Sequence, residues 1–127
     1  MSKKHLTLGR HGEELARRFL KKKGYKILET NYRGRLGEID LVAQDGDSLV
    51  FVEVKTRSSM AFGHPLESIN PRKQHQLTKA AGEYLACCGE EGRFCRFDAV
   101  SVLLSGDEEP QLELIKNAFE IDGGLYL

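Results

Sequence analysis

Apolar side chains recur along this chain with two different periods. Between Leu8 and Lys23 they follow one helical stripe, formed by Leu8, Gly12, Leu15, Ala16, Phe19 and Leu20, at about 100° per residue. Thr7 is placed to cap that helix and Gly24 to stop it. Lys21, Lys22 and Lys23 fall in its last turn, where cations favour the negative end of the helix dipole. After Gly24 the pattern changes to strands. Tyr25–Tyr32 reads as a first strand, Arg33-Gly34-Arg35 as a turn, and Gly37–Gln44 as a second strand. Asp45-Gly46-Asp47 closes it, and Ser48–Thr56, dense in Val and Phe, is a third. An Asp-Gly pair between two apolar runs is a hairpin signal.

The stretch from Arg57 to Asn70, with Gly63 and Pro65, reads as a loop. Asn70-Pro71 then opens a second helix, with Asn at the cap and Pro at the first helical position. Its apolar stripe is Leu77, Ala80, Ala81, Tyr84, Leu85 and Cys88. Phe97–Leu104 reads as a fourth strand, Ser105–Pro110 as an acidic turn and Gln111–Ile115 as a fifth strand. Two helices must cover the apolar faces of a mixed sheet of about five strands, so the predicted class is a layered α/β fold. At 127 residues the whole chain, 1–127, is expected to be one domain around one core.

No apolar run is long enough to span a membrane. Met1-Ser2-Lys3-Lys4-His5 is basic but no apolar stretch follows it, so it does not read as a secretory signal. The three cysteines, Cys87, Cys88 and Cys95, are odd in number and lack paired metal-ligand spacing. They read as reduced, partly buried thiols of a cytoplasmic protein.

The formal net charge is zero, but its distribution is uneven. Residues 1–35 hold 11 Lys/Arg against 3 Asp/Glu, residues 36–54 five acids and no base, and residues 55–80 five bases against one acid; residues 81–127 hold three bases and ten acids. An acidic island between two basic blocks is what a metal site inside a phosphate-binding surface requires.

The chemistry concentrates in that island. In Val50-Phe51-Val52-Glu53-Val54-Lys55, strand alternation puts Glu53 and Lys55 on the face of Phe51, opposite the three valines. Buried charges are costly unless paired or bound to metal. The Asp45-Gly46 turn folds Asp40 back alongside Glu53, as a near cross-strand neighbour with allowance for a bulge. Two carboxylates that close repel unless a cation lies between them. Mg²⁺ suits the gap, because it takes one or two carboxylates and keeps waters and phosphate oxygens. Lys55 could then stabilise charge developing on a phosphate. By spacing alone, an inert ion-pair network of the same residues is an equal alternative.

Gly37-Glu38-Ile39-Asp40-Leu41 followed by Val50-Phe51-Val52-Glu53-Val54-Lys55-Thr56-Arg57 resembles the PD-(D/E)xK nuclease superfamily. More closely, the chain resembles the UPF0102 (YraN-like) family, itself distantly similar to archaeal Holliday-junction resolvases. The likeness runs through Gly12-Glu13, Gly24-Tyr25, Asn31 with Arg33, Phe62-Gly63 with Pro65, Lys73, Arg96-Phe97-Asp98 and Ala118-Phe119. It implies a restriction-endonuclease-like fold and a Mg²⁺- or Mn²⁺-dependent endonuclease acting on DNA, branched or single-stranded. Asp40 and Glu53 would hold the metal, Lys55 would be the catalytic lysine, and the acid on the first helix would be Glu13. Helical geometry also favours Glu13 over Glu14, since Glu13 borders the apolar stripe and Glu14 points away from it.

Lys73 and Gln74 lie on the core side of the second helix, near an N-terminus whose free N–H groups favour phosphate. With Arg57, Arg33 and Arg35 they are the expected nucleic-acid contacts. His75 points outward and reads as a surface residue; Asp98 reads as a structural support or the partner of an arginine, and not as catalytic. A homodimer is expected by analogy with two-fold junctions. The alternative function is a non-catalytic nucleic-acid-binding module on a nuclease fold, favoured by the zero net charge.

Overall fold

The computed structural model describes residues 3–59, 63, 67 and 69–120, with side chains from Leu8 onward. Most of the loop expected between Arg57 and Asn70, including Phe62, His64 and Pro65, lies outside the described residues, as do the side chains of Met1–His5.

Helix α1 spans Lys3–Lys22. It starts ahead of Thr7, which is therefore inside the helix and not its cap: Lys3-Lys4-His5-Leu6 contains no helix breaker. Its end is as expected. Gly24 takes a left-handed φ of 94°, and the Tyr25 N–H reaches the Leu20 carbonyl at 3.0 Å, which satisfies a carbonyl the helix itself leaves open.

The strands are β1 (Lys26–Arg33), β2 (Glu38–Asp45), β3 (Ser48–Arg57), β4 (Cys95–Leu103) and β5 (Gln111–Ile115), and helix α2 is Pro71–Cys87. They form one five-stranded sheet in sequence order. β1–β2, β2–β3 and β4–β5 are antiparallel and β3–β4 is parallel. A parallel neighbour requires a crossover, and α2 lies in that connection. The class is thus the expected α/β mixed sheet with two helices, consistent with a restriction-endonuclease-like arrangement. β4 begins two residues before the expected Phe97, because Cys95 and Arg96 register against Leu49 and Val50 of β3.

The sheet is buried on both faces. Ala16 and Leu20 of α1 pack with Tyr25, Leu41, Ala43, Val50, Val52, Val100 and Val102. On the other face Leu77, Ala80, Ala81, Tyr84 and Leu85 of α2 pack with Val42, Leu49, Phe51 and Phe97. Two helix layers explain why β3 is nearly continuous in apolar residues. The segment after β5 also returns to the core: Phe119 stacks on Phe97 at 4.6 Å between ring centroids.

The thiols depart from expectation. Cys95 is buried, but Cys87 and Cys88 are exposed. Cys88 is the C-cap of α2 and not a member of its apolar stripe, its N–H closing onto the Tyr84 carbonyl. The stripe ends with the last full turn, so the residue beyond it turns out to solvent.

In the middle of β4, opposite Val52 of β3, Asp98 is 1% exposed and fully paired. Its carboxylate accepts Tyr25 Oη at 2.7 Å, Arg96 Nε at 2.8 Å and the Asn117 N–H at 3.0 Å. Arg96 also reaches Asp45 at 2.8 Å. The structural reading of Asp98 holds: it joins β4 to the start of β1, the β2–β3 turn and the tail.

Candidate active site

The β2–β3 ladder pairs Leu41 with Val52, Val42 with Phe51 and so on to the turn. The register is unshifted from Asp45 to Leu41 and ends there, one residue short of Asp40 and Glu53. The strands part there, and Asp40 Oδ2 accepts the Val54 N–H at 2.8 Å. A side chain thus replaces a backbone partner where the ladder ends. Ile39 and Leu41 pack in opposite core layers, so the regular alternation of faces is broken at Asp40. This break lets one carboxylate be approached from both helix layers.

From one side comes Glu13 of α1. Gly12 explains how the helix lies low enough: a Cβ on Gly12 would fall 1.8 Å from Thr56 Oγ1 of β3, so only glycine permits this approach. Glu13 lies beside Asp40 and the Asn31 side chain, and burial followed by the charge of Asp40 pushes its pKa up. Asn31 lies midway along β1 with φ 52°, a left-handed conformation that Asn tolerates better than most residues.

From the other side comes α2. Asn70 caps it, accepting the Lys73 N–H at 2.9 Å. Lys73 Nζ stands 3.7 Å from Glu53 Oε2, with side chains 39% and 15% exposed. Glu53 lies next to Asp40 and feels its charge. Desolvation first, and Asp40 second, push the Glu53 pKa up to about 7, while Lys73 and then Lys55 oppose the rise. Asp40 is raised as well, chiefly by burial.

The structure therefore brings together Glu13, Asp40, Glu53, Lys55 and Lys73. Asp40 is the middle of three carboxylates. Such a row requires protons or a cation between its members. Among the described residues no three or more His, Cys, Asp or Glu side chains form a ready metal-holding group. Two neighbouring carboxylates, Asp40 and Glu53, would suit Mg²⁺ or Mn²⁺ more than a metal needing a full protein cage.

The remaining expected contacts differ in placement. Arg57 follows Lys55 by two on the same strand, and its Nε is buried without a hydrogen-bond partner. Arg33 is exposed, 3.7 Å from Glu38, and its charge reaches Glu13. Arg35 is exposed in a turn whose Arg35 and Leu36 N–H groups donate to Glu83. Gln74 donates Nε2 to the Ile69 carbonyl at 3.0 Å, which ties down the entry to α2. His75 and His11 are exposed. Sequence reasoning gave Lys73 only a phosphate-binding role and gave Asn31 none. An Asn inside a strand pattern, where it is disfavoured, was the available signal for Asn31.

Among the described residues no helix is long and apolar enough to cross a membrane. The family model described as "Uncharacterised protein family UPF0102" matches residues 12–102, and the chain belongs to that family. It is 48% identical over 121 residues to a UPF0102 protein of Geobacter metallireducens, covering 95% of this chain and 98% of the relative. A UPF0102 protein of Moorella thermoacetica is 50% identical over 112 residues, 87% of this chain and 93% of its own. One from Rhodococcus jostii is 43% identical over 115 residues, 91% and 98% respectively.

Proposed function

We propose that this UPF0102 protein is a metal-dependent nuclease of the PD-(D/E)xK kind, distantly related to junction resolvases and cleaving phosphodiester bonds in DNA, branched or single-stranded. The observation that supports this most is Asp40 at the end of the β2–β3 ladder, its carboxylate held by the Val54 N–H, with the Glu13 and Glu53 carboxylates close enough to raise one another's pKa. An inert salt-bridge network would balance its charges. Here three carboxylates converge beside Lys73 and Lys55, and a further cation, Arg33, is exposed and shared with Glu38.

Asp40 and Glu53 would hold Mg²⁺ or Mn²⁺, which when bound supplies Lewis-acid polarisation of a phosphate oxygen and a more acidic water. Lys55, on the Glu53 face, is placed to stabilise negative charge on the phosphate. Glu13, with its raised pKa, can exchange a proton with a water near the site. Lys73 neutralises part of the Glu53 charge and is available to phosphate. A homodimer would place two such sites for a two-fold substrate.

The test is a panel of labelled single-stranded, duplex and branched DNAs with Mg²⁺ or Mn²⁺, comparing wild type with Asp40→Ala. Cleavage by wild type and its loss in the variant are expected. Equal cleavage by both, or none by wild type on any substrate, overturns the reading. The Lys73–Glu53 ion pair favours a second reading, a nucleic-acid-binding module without turnover. Calorimetry separates them: that module binds DNA but takes up no Mg²⁺ at Asp40.

A further inference from the structure

A cleft of about 260 Å³ opens between α1 and β1, lined by Arg10, Glu13, Glu14, Arg17, Thr30, Asn31 and Leu41. Two of these residues, Glu13 and Asn31, also belong to the carboxylate row, so the cleft leads directly away from it. Arg10, Glu13, Glu14 and Arg17 are spaced three, one and three apart, which puts them on one side of the helix. Arg10 and Arg17 stand about 10 Å apart along the axis, a span of about three nucleotides at the rise of a stacked strand.

The charges of this cleft are arranged for an anion despite its two glutamates. Glu14 is held by Arg17 and also by Arg18 at 3.0 Å, so Arg18 keeps it balanced when Arg17 turns to a phosphate. Glu13 turns toward Asp40 and Asn31. Arg10 is exposed, and no carboxylate is paired to it among the described contacts. Thr30, exposed on β1, offers a hydroxyl on the opposite wall.

We propose that this α1–β1 cleft is a binding track for one single strand of nucleic acid on its way from the carboxylate site, with Arg10 and Arg17 contacting its phosphates. The proposal rests on the nuclease reading for the position of the scissile phosphate. It adds a direction and two arginines that reading does not require. Phosphate contacts fix register without reading sequence, so the track is expected to be indifferent to base sequence and sensitive to salt.

The test is fluorescence anisotropy with a labelled single-stranded oligonucleotide and Ca²⁺ in place of Mg²⁺, at several salt concentrations. Arg10→Ala with Arg17→Ala is expected to weaken binding about tenfold or more and to lower the salt slope by roughly one to two. Metal affinity, read by calorimetry, is expected to stay unchanged. Glu14→Gln guards against a folding artefact. It also breaks the Arg17–Glu14 pair but frees Arg17, so binding is expected to tighten. Wild-type affinity and salt slope in the double variant, or weaker binding in Glu14→Gln, overturns the track. If wild type cleaves DNA normally in that case, the nuclease reading survives; if wild type neither binds nor cleaves, both fall.

Discussion

Lys73 Nζ lies 3.7 Å from Glu53 Oε2, so α2 delivers a cation to the carboxylate pair that the β2–β3 hairpin assembles. The ammonium and a divalent ion would compete for the same negative charge. Lys73→Gln is therefore expected to bind Mg²⁺ more tightly, by about 1 kcal/mol or a factor of about five, since the pair is partly exposed and screened. Calorimetric titration of the variant checks this. Weaker Mg²⁺ binding would show that the lysine supports the ion and does not oppose it.

The acid row predicts a pH effect of definite sign. The Glu53 pKa rises from an ordinary 4.5 to about 7 in the folded protein, and Asp40 and Glu13 move the same way. Between those values the folded state keeps a proton that the unfolded chain has lost. This contribution to stability is full below pH 4.5 and is lost as pH rises through about 7. Thermal melts of the metal-free protein should show Tm falling over that window. The fall should flatten in Glu53→Gln, and Mg²⁺ should stabilise more at the alkaline end. A wild-type Tm slope identical to that of Glu53→Gln contradicts the assignment.

Gly12→Ala tests how α1 reaches the sheet. The added Cβ would meet Thr56 Oγ1 at 1.8 Å and Thr56 Cβ at 2.9 Å, so the helix must move or the strand must give. The expected cost is about 1–3 kcal/mol in urea melts, with partial recovery in the pair Gly12→Ala, Thr56→Ala. Because Glu13 is carried on the same turn, its hold on Asp40 should weaken, and Mg²⁺ affinity should drop with stability.

Asp98 pairs with Val52 in mid-sheet, but its side chain is tied to Tyr25, Arg96 and Asn117 and not to the site carboxylates, so it should separate stability from site function. Asp98→Asn leaves Arg96 short of its main partner and the buried Tyr25 hydroxyl in an altered network. Breaking a buried pair from one side costs about 3–5 kcal/mol. Urea denaturation should show that loss. Mg²⁺ titration below the unfolding transition should match wild type.

Thiol accessibility follows from burial. Cys87 and Cys88 are exposed and Cys95 is buried, with its pKa pushed up mainly by desolvation. A thiol reagent should modify two groups rapidly in the native protein and the third only on unfolding.

Much of this molecule is written in its local pattern. The stripe from Leu8 to Leu20, the Asp45-Gly46 turn and the Asn70-Pro71 helix start each report on neighbours a few residues away, so period and turn chemistry suffice to place α1, the β2–β3 hairpin and α2. The facing of Asp40 and Glu53 followed too, because a tight hairpin fixes register. Element starts were less legible. Thr7 has the right chemistry for a cap, but nothing before it stops the helix, and Cys95-Arg96 became strand only because β3 offered a parallel partner.

What the tertiary structure alone decided is which charges meet. Sequence could set Glu53 and Lys55 on one face, but the lysine closest to Glu53 is Lys73, brought across by the packing of α2 on the opposite layer from α1. Likewise Gly12 looked like one more small residue in a stripe until its contact with Thr56 showed how Glu13 comes within reach of Asp40. Charges interact through space and not along the chain. Their partners are set by how two helices dock on a sheet, and that docking is a sum of many small apolar contacts that no local motif records.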